Sequence, residues 1–195
     1  MKYLVFVGVI IYLTGIGFYV KDMLKGQAKP NRVTWFMWSV TPLIATFAAI
    51  AAGVTWAVVP TFILGFGALV VFTISLFKKE AYWNISKFDL GCGVLAVLAL
   101  ILWYMTKQPV VAIVFSILSD FSSATPTLIK AWKHPESESS STYITGVLST
   151  ITSFAAIETF NFASAAYPSY VVILNMLIVI GIERRRLFGK KKRSY

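Results

Sequence analysis

A stretch of 45 consecutive residues, 33–77, contains no charged side chain and constrains the fold more than any other feature of the chain. As one helix it would be about 68 Å long at 1.5 Å per residue, more than twice the ~30 Å hydrocarbon core of a bilayer. The stretch must therefore fold back on itself. Gly53 and Thr55 are turn-forming residues near its middle, so the sequence predicts two membrane-crossing helices joined by a tight turn.

The overall composition agrees with a chain that lies mostly in lipid. Of its 195 residues, 57% are hydrophobic and 13% are charged, whereas soluble domains carry about 25% charged residues. The net charge of +10 comes from residues in predicted loops and in the C-terminal tail, and not from a basic face with interleaved aromatic residues. We therefore predict an integral membrane protein of the cell (inner or plasma) membrane and expect no nucleic-acid partner.

Apolar runs of roughly 17–25 residues predict seven transmembrane helices. The predicted spans are residues 3–20, 33–53, 55–77, 89–106, 109–130, 142–163 and 167–184. The predicted outer turns around Gly53 and Tyr167 carry no charge.

Basic residues are concentrated after the odd-numbered spans and at the C-terminus. Sixteen of the 18 lie there: Lys21, Lys25, Lys29, Arg32, Lys78, Lys79, Lys87, Lys130, Lys133, Arg184, Arg185, Arg186, Lys190, Lys191, Lys192 and Arg193. Because cytoplasmic loops are enriched in Lys and Arg, this pattern predicts an outside N-terminus and a cytoplasmic C-terminus. The basic tail is also expected to contact anionic lipid.

An internal repeat relates the first and last thirds of the chain. An offset of 108 residues superimposes Pro60 on Pro168, Thr34 on Thr142, Trp35 on Tyr143, Lys25 on Lys133 and Lys78 on Arg186. The predicted fold is all-α, with two parallel three-helix repeats joined by a linker helix. Its units are residues 1–79 (first repeat), 80–107 (linker with the fourth span), 108–187 (second repeat) and 188–195 (basic tail). Substrate sites in such folds lie near the midplane between the repeats.

A short motif at the inner end of the fifth span carries a resemblance to a known family. Residues 126–133 read Pro-Thr-Leu-Ile-Lys-Ala-Trp-Lys, and a Ser-rich segment, 137–142, follows. The motif resembles the PQ-loop signature of the MtN3/SWEET/PQ-loop transporter superfamily, with Thr127 in the position of the glutamine. The first repeat has Phe18-Tyr19 where the motif would recur.

The resemblance implies a function and several site residues. It implies a transporter of a sugar-like or other small polar metabolite, working by alternating access, with a substrate-contacting amide at Asn175. Pro126 and Pro42 match two proline positions around the inner gate, although prolines in membrane helices also occur without a gating role. Two alternatives share the architecture: a vitamin-precursor carrier of the nicotinamide riboside type, and a non-transporting receptor, lipid-handling or scaffold protein. Asn175 could instead serve only helix–helix hydrogen bonding.

Asp120 is the strongest candidate for a binding residue. It lies about 11 residues into the fifth span, roughly 17 Å deep, where an ionisable group normally faces a bundle interior or water. Ser116, Ser119 and Ser123 give the same helix a small polar face, and we include all four residues in the predicted substrate site. Asp120 would bind solute or a proton; the alternative is a structural hydrogen bond to the serines.

Glu158 and Asn161 form a second predicted polar site. Both fall near the outer end of the predicted sixth span. There Glu158 could bind a substrate or a proton, or merely reach the lipid headgroups.

The sequence does not favour an enzyme. The single histidine, His134, lies in a predicted loop beside Pro135, so neither a Ser-His pair nor a multi-histidine metal site can form within the membrane. We therefore expect no catalytic residues, no metal and no cofactor. The expected partners are a small-molecule substrate, protons as a further candidate, and the lipid bilayer, and the sequence leaves the oligomeric state open.

Overall fold

The computed structural model describes residues 3–77, 87–135 and 138–188. These residues form seven α-helices: α1 Leu4–Leu24, α2 Arg32–Ala51, α3 Val59–Ser75, α4 Lys87–Thr106, α5 Pro109–Lys133, α6 Ser141–Ala155 and α7 Phe162–Phe188. A short 3-10 turn, Trp56–Val58, connects α2 to α3. The basic loop residues Lys78 and Lys79 and the tail beyond 188 lie outside the described residues.

In the part of the chain that the structure describes, five helices are long and apolar enough to cross a membrane. They are Leu4–Leu24, Arg32–Ala51, Trp56–Ser75, Pro109–Lys133 and Phe162–Arg184. Large apolar side chains cover the outside of the bundle, among them Ile10, Phe47, Phe62 and Ile173. Such a surface is expected against lipid tails and would be costly in water. The described part of the chain is thus an all-helical bundle with the properties of a multi-pass membrane protein.

The turn after α2 confirms the hairpin that the uncharged stretch predicts. Gly53 has a φ of +85°, a left-handed conformation that glycine adopts without a steric penalty. Its N–H donates to the Ile50 carbonyl at 2.9 Å, and the Val54 N–H donates to the Ala49 carbonyl at 3.0 Å. This pair of bonds satisfies the last carbonyls of α2, so the chain can reverse and pack α3 against α2.

The predicted boundary between the sixth and seventh spans is wrong. Helix α6 ends at Ala155, and α7 begins at Phe162, so Tyr167 lies in a helix and not in the outer turn. The physical reason is a reciprocal cap: the Ser164 N–H donates to Asn161 Oδ1 at 3.0 Å, and the Asn161 N–H donates to Ser164 Oγ at 3.1 Å. Such a pair satisfies free N–H groups at a helix start. Glu158 consequently belongs to a loop and not to the predicted sixth span.

Helix packing places α1 against α6 and α3, and α2 against α3 and α5. Helix α7 packs against both α5 and α6, whereas α4 lies mainly against α5. The α1–α6 contact is close, because a Cβ at Gly15 would collide with the Thr145 side chain and one at Gly8 with Thr152. Small residues allow membrane helices to approach in this way.

Candidate functional site

A cavity of about 60 Å³ lies inside the bundle, between helices α1–α3 on one side and α5–α7 on the other. Its walls combine five aromatic residues with three polar ones and several small or aliphatic ones. The aromatic and polar residues are Tyr12, Trp35, Trp38, Tyr143, Tyr167, Asp120, Thr142 and Asn175. The others are Pro42, Leu64, Ala68, Gly146, Val171 and Leu174. Among the described residues that line it, Asp120 is the one acid and none is basic.

Asp120 is held by hydroxyl groups from two neighbouring helices. Thr41 on α2 donates to Oδ1, and Tyr167 on α7 donates to the same oxygen at 3.3 Å. Tyr170, also on α7, donates to Oδ2 at 2.6 Å. The carboxyl group is only 4% exposed and has no cationic partner in the described part of the chain. It therefore links α2, α5 and α7 without charge neutralisation by a basic side chain.

Helix α5 brings Asp120 inward because its polar and apolar residues lie on opposite faces. Ser116, Ser119, Asp120 and Ser123 are buried, whereas Phe121 is 49% exposed toward the outside. The spacing i, i+3, i+4, i+7 places the buried residues on one face. The three serines do not line the cavity. The Ser123 hydroxyl donates to the backbone carbonyl of Asp120 at 2.9 Å, so this serine serves packing within the helix.

Trp35, Trp38 and Tyr143 form an aromatic wall of the cavity. The ring centroids of Trp35 and Trp38 are 5.4 Å apart and those of Trp38 and Tyr143 are 6.1 Å apart, both with edge-on geometry. The Trp38 indole N–H is buried and has no hydrogen-bond acceptor within the described residues. A buried donor without an acceptor is costly. The wall therefore offers π surfaces and one free donor.

Asn175 reaches the cavity next to Gly146. Its amide donates to the Val171 carbonyl of its own helix at 3.0 Å, a bond that does not join two helices. A Cβ at Gly146 would lie 3.4 Å from Asn175 Nδ2, so the glycine keeps the space beside the amide open. The structure thus places Asn175 with Asp120 at one cavity.

The two prolines of the predicted gate occupy different settings. Pro42 is buried in α2 and lines the cavity. Pro126 lies within α5, which continues through it to Lys133. Beside this interruption, the Thr34 hydroxyl of α2 donates to the Ser123 carbonyl at 3.3 Å. The carbonyl that loses its helical donor at Pro126 is that of Ser122, so Thr34 bonds to the carbonyl of the next residue along α5.

Glu158 and Asn161 lie together at a second, outer space of about 180 Å³ between the α2–α3 and α6–α7 connections. Glu158 is exposed and accepts a hydrogen bond from Thr55 at 3.3 Å. A third, narrower space of about 10 Å³ has the wall residues Ala57 and Ser164 in common with the space around Glu158. It has Tyr167 in common with the main cavity. The narrow space therefore has wall residues in common with both larger spaces, and Tyr167 is the one it shares with the main cavity.

Polar contacts close the opposite end of the bundle. Lys130 forms an ion pair with Glu138 at 3.0 Å and also donates to the Lys29 carbonyl at 3.3 Å. Ser139 donates to Asp22 at 3.0 Å. Burial raises the pKa of the Glu138 carboxyl above its ordinary value, although Lys130 opposes this shift. These contacts join α5 and the α5–α6 connection to the C-terminal end of α1 and the segment that follows it.

Several site residues are not predicted by the sequence analysis, namely Tyr12, Thr41, Tyr167 and Tyr170. The 108-residue offset contains one usable signal, because it pairs Tyr12 with Asp120. Tyr12 lies over Gly67, where a Cβ would come within 2.6 Å of its ring. The sequence pattern puts Tyr167 in a turn, and nothing in it marks Thr41 among the other threonines of α2. The two equivalent positions thus provide a phenol from one side and a carboxyl from the other.

Comparisons with family models, with curated proteins and with solved structures found no match to this chain. The resemblance to the SWEET and PQ-loop transporters therefore stays a prediction. Within the residues that the structure describes, no group of three or more His, Cys, Asp and Glu side chains is arranged to hold a metal ion. The internal cavity around Asp120 is accordingly the candidate functional site.

Proposed function

We propose that this protein is a small-solute membrane transporter that works by alternating access between two three-helix repeats. The single observation that carries the proposal is the cavity between α1–α3 and α5–α7, with Asp120 and Asn175 in its walls. Repeat-built transporters bind their substrates at such a position. A scaffold of the same architecture would be expected to have a dry, fully packed axis.

The pattern of helix contacts supports the two repeats. Suppose that α1 is exchanged with α5, α2 with α6, and α3 with α7. The α1–α3 contact then becomes α5–α7, and the α2–α3 contact becomes α6–α7. The same exchange turns the α1–α6 contact into the α2–α5 contact. An approximate twofold relation between the triplets would produce these equivalences, and α4 would then be the linker.

Seven spans require α4 and α6 to cross the membrane as well. Helix α4 has 20 residues, which at 1.5 Å per residue gives about 30 Å. Helix α6 has 15 residues, or roughly 22 Å, and would fall short of the outer surface. The loop after α6 would then lie below that surface, where its backbone groups need hydrogen-bond partners. Water in the outer space around Glu158 would supply those partners. With the basic residues cytoplasmic, this arrangement puts the N-terminus outside.

The two ends of the bundle fit the gating roles that alternating access needs. On the outer side, the space around Glu158 has wall residues in common with the narrow space that Tyr167 lines. On the inner side, Ser139 donates to Asp22 and Lys130 donates to the Lys29 carbonyl, and these two contacts connect the triplets. Opening the inner contacts while the outer space closes would expose the cavity to the cytoplasm, and bending of α5 at Pro126 would assist that change.

One observation favours a carrier of an aromatic vitamin precursor as the second candidate. Trp35, Trp38 and Tyr143 line the cavity, and aromatic rings can stack on a planar heterocycle. A carrier of this kind would share the helix arrangement and the access mechanism of the first candidate and would differ in substrate.

Uptake into proteoliposomes tests the proposal. A panel of sugars, nucleosides and amino acids should include at least one solute whose uptake exceeds that of protein-free vesicles. The assay should be run with and without a pH gradient. Asp120→Asn should reduce that uptake strongly, whereas Glu183→Gln, which neutralises an acid on α7 outside the cavity, retains the cavity carboxyl and serves as its control. Equal uptake by wild type and protein-free vesicles for every solute would contradict the transporter assignment.

A further inference from the structure

Within the described residues Asp120 has no charge partner, and this points to the chemistry of the ligand. Resting on the transporter function proposed above, we propose that the cavity binds a small organic cation that has a hydrogen-bond acceptor close to its positive charge. The site is made of the Asp120 carboxyl, the aromatic wall of Trp35, Trp38 and Tyr143, and the free Trp38 N–H. Each of these elements selects one property of the ligand.

The carboxyl group selects a positive charge. Asp120 is 4% exposed, and its contacts are three neutral hydroxyls. Hydroxyl donors reduce the cost of burying a carboxylate but do not neutralise it, and buried charges in proteins are normally paired. Since no basic side chain lines the cavity in the described residues, a cationic ligand would complete the pair. An anionic ligand would meet repulsion from the same group.

The aromatic wall selects an organic cation over a hydrated metal ion. The faces of Trp and Tyr attract cations, and desolvated sites of this kind bind quaternary ammonium groups. Five of the cavity residues are aromatic, and Trp35 and Tyr143 are 4% and 2% exposed. A strongly hydrated ion would instead need several oxygen ligands, and this wall does not provide them.

The free indole donor selects an acceptor on the ligand. Trp38 Nε1 is buried without a partner in the described part of the chain, three residues before Thr41, which donates to Asp120. Residues separated by three positions lie on the same helix face. A ligand that spans from the carboxyl to the indole would therefore place its charge near Asp120 and a hydroxyl, carbonyl or ether oxygen near Trp38.

The outer approach to the cavity also favours cations. The larger outer space is lined by Glu158 and by polar groups such as Thr55 and Asn161, and none of the described residues that line it is basic. An acidic mouth raises the local concentration of cations. The cavity itself, at about 60 Å³, has room for about four water molecules at about 15 Å³ each, which restricts the ligand to a compact molecule.

Calorimetric titration of the full-length protein in detergent tests this inference with three probes of similar shape. Choline has a quaternary ammonium and a hydroxyl, tetramethylammonium has only the charge, and 3,3-dimethyl-1-butanol is the neutral analogue of choline. We expect choline to bind at least about tenfold more tightly than the neutral alcohol, because only choline pairs with Asp120 and the aromatic rings. Equal affinities, or no binding of either cation, would overturn the inference.

Two variants separate the charge from the hydrogen bond. Asp120→Asn should weaken choline and tetramethylammonium about tenfold or more and leave the alcohol unchanged. Trp38→Phe retains an aromatic ring but removes the donor, so it should weaken choline and spare tetramethylammonium. Glu183→Gln, which neutralises an acid on α7 outside the cavity, is the control and should change no affinity. If Asp120→Asn does not fold, the wild-type comparison and Trp38→Phe still decide the question.

The same protein in proteoliposomes distinguishes this inference from the proposed function. Binding of choline without uptake of any solute would support the cation site and contradict transport. Uptake of a neutral solute without any preference for choline in the titration would support transport and contradict the cation site. A role of Asp120 restricted to carrying a proton would appear as equal binding of choline and its neutral analogue, which also contradicts the cation site.

Discussion

At the scale of single residues, the site depends on how its neighbours hold the Asp120 carboxyl. Tyr170 makes the best-defined of these contacts, at 2.6 Å. Tyr170→Phe should lower the unfolding free energy by about 1–3 kcal/mol, because it leaves a buried carboxyl oxygen without that donor. Thermal unfolding of the purified protein measures this loss. Tyr104→Phe is the control, since Tyr104 is 76% exposed on α4. An equal loss in both variants would contradict the structural role of the bond.

Gly146 is the residue that keeps space open beside Asn175. Gly146→Val should fill part of the cavity, which measures only about 60 Å³, and should therefore reduce solute uptake by about tenfold or more. Gly17→Val makes the same chemical change on α1, where an added Cβ would have no neighbouring atom within 4 Å, so it should leave uptake near wild type. Proteoliposome uptake, with protein amount matched by gel, gives the comparison. Unchanged uptake in Gly146→Val would mean that solute does not pass this point.

At the scale of elements, the α5–α6 connection should respond to pH through Glu138. Burial raises the pKa of this carboxyl, so the folded state holds its proton more tightly than the unfolded state does. The contribution of Glu138 to stability is therefore present at low pH and is lost as pH rises from the ordinary value of about 4.3 through the raised pKa. The melting temperature of wild type minus that of Glu138→Gln should therefore fall as the pH rises through this range.

Two further variants control that measurement. Lys130→Gln removes the positive charge that opposes the rise of the Glu138 pKa. The pH range over which Glu138 loses its stabilising contribution should then extend to higher pH. Glu158→Gln removes an exposed acid at the opposite end and should keep the wild-type pH dependence. A wild-type profile parallel to that of Glu138→Gln at every pH would contradict the assigned burial of Glu138.

At the scale of the whole molecule, hydrophobic patterning predicts the helices better than the site. The uncharged stretch 33–77 requires a hairpin, and Gly53 marks its turn, because only a few residues adopt that backbone conformation. The predicted α6–α7 boundary is wrong because Ala155 to Asn161 contains apolar residues that continue the hydrophobic pattern, and capping by Ser164 depends on local geometry.

Asp120 and Asn175 stand out as polar residues in apolar runs. Thr41 and Tyr170 do not, because their role appears only when α2 and α7 pack against α5.

Cross-linking the two ends of the bundle tests whether the triplets move against each other. Asp22 and Ser139 form a contact between the α1–α3 and α5–α7 parts of the chain at one end of the bundle, and Thr55 and Glu158 form one at the other end. Paired cysteines at either site, in a background with Cys92 replaced by Ala, should abolish uptake when joined by a short thiol cross-linker, because alternating access needs both ends to open in turn. Cleavage of the linker should restore uptake, and each single-cysteine variant should stay active after the same treatment. Full uptake with one end joined would show that solute crosses without separation of the triplets at that end.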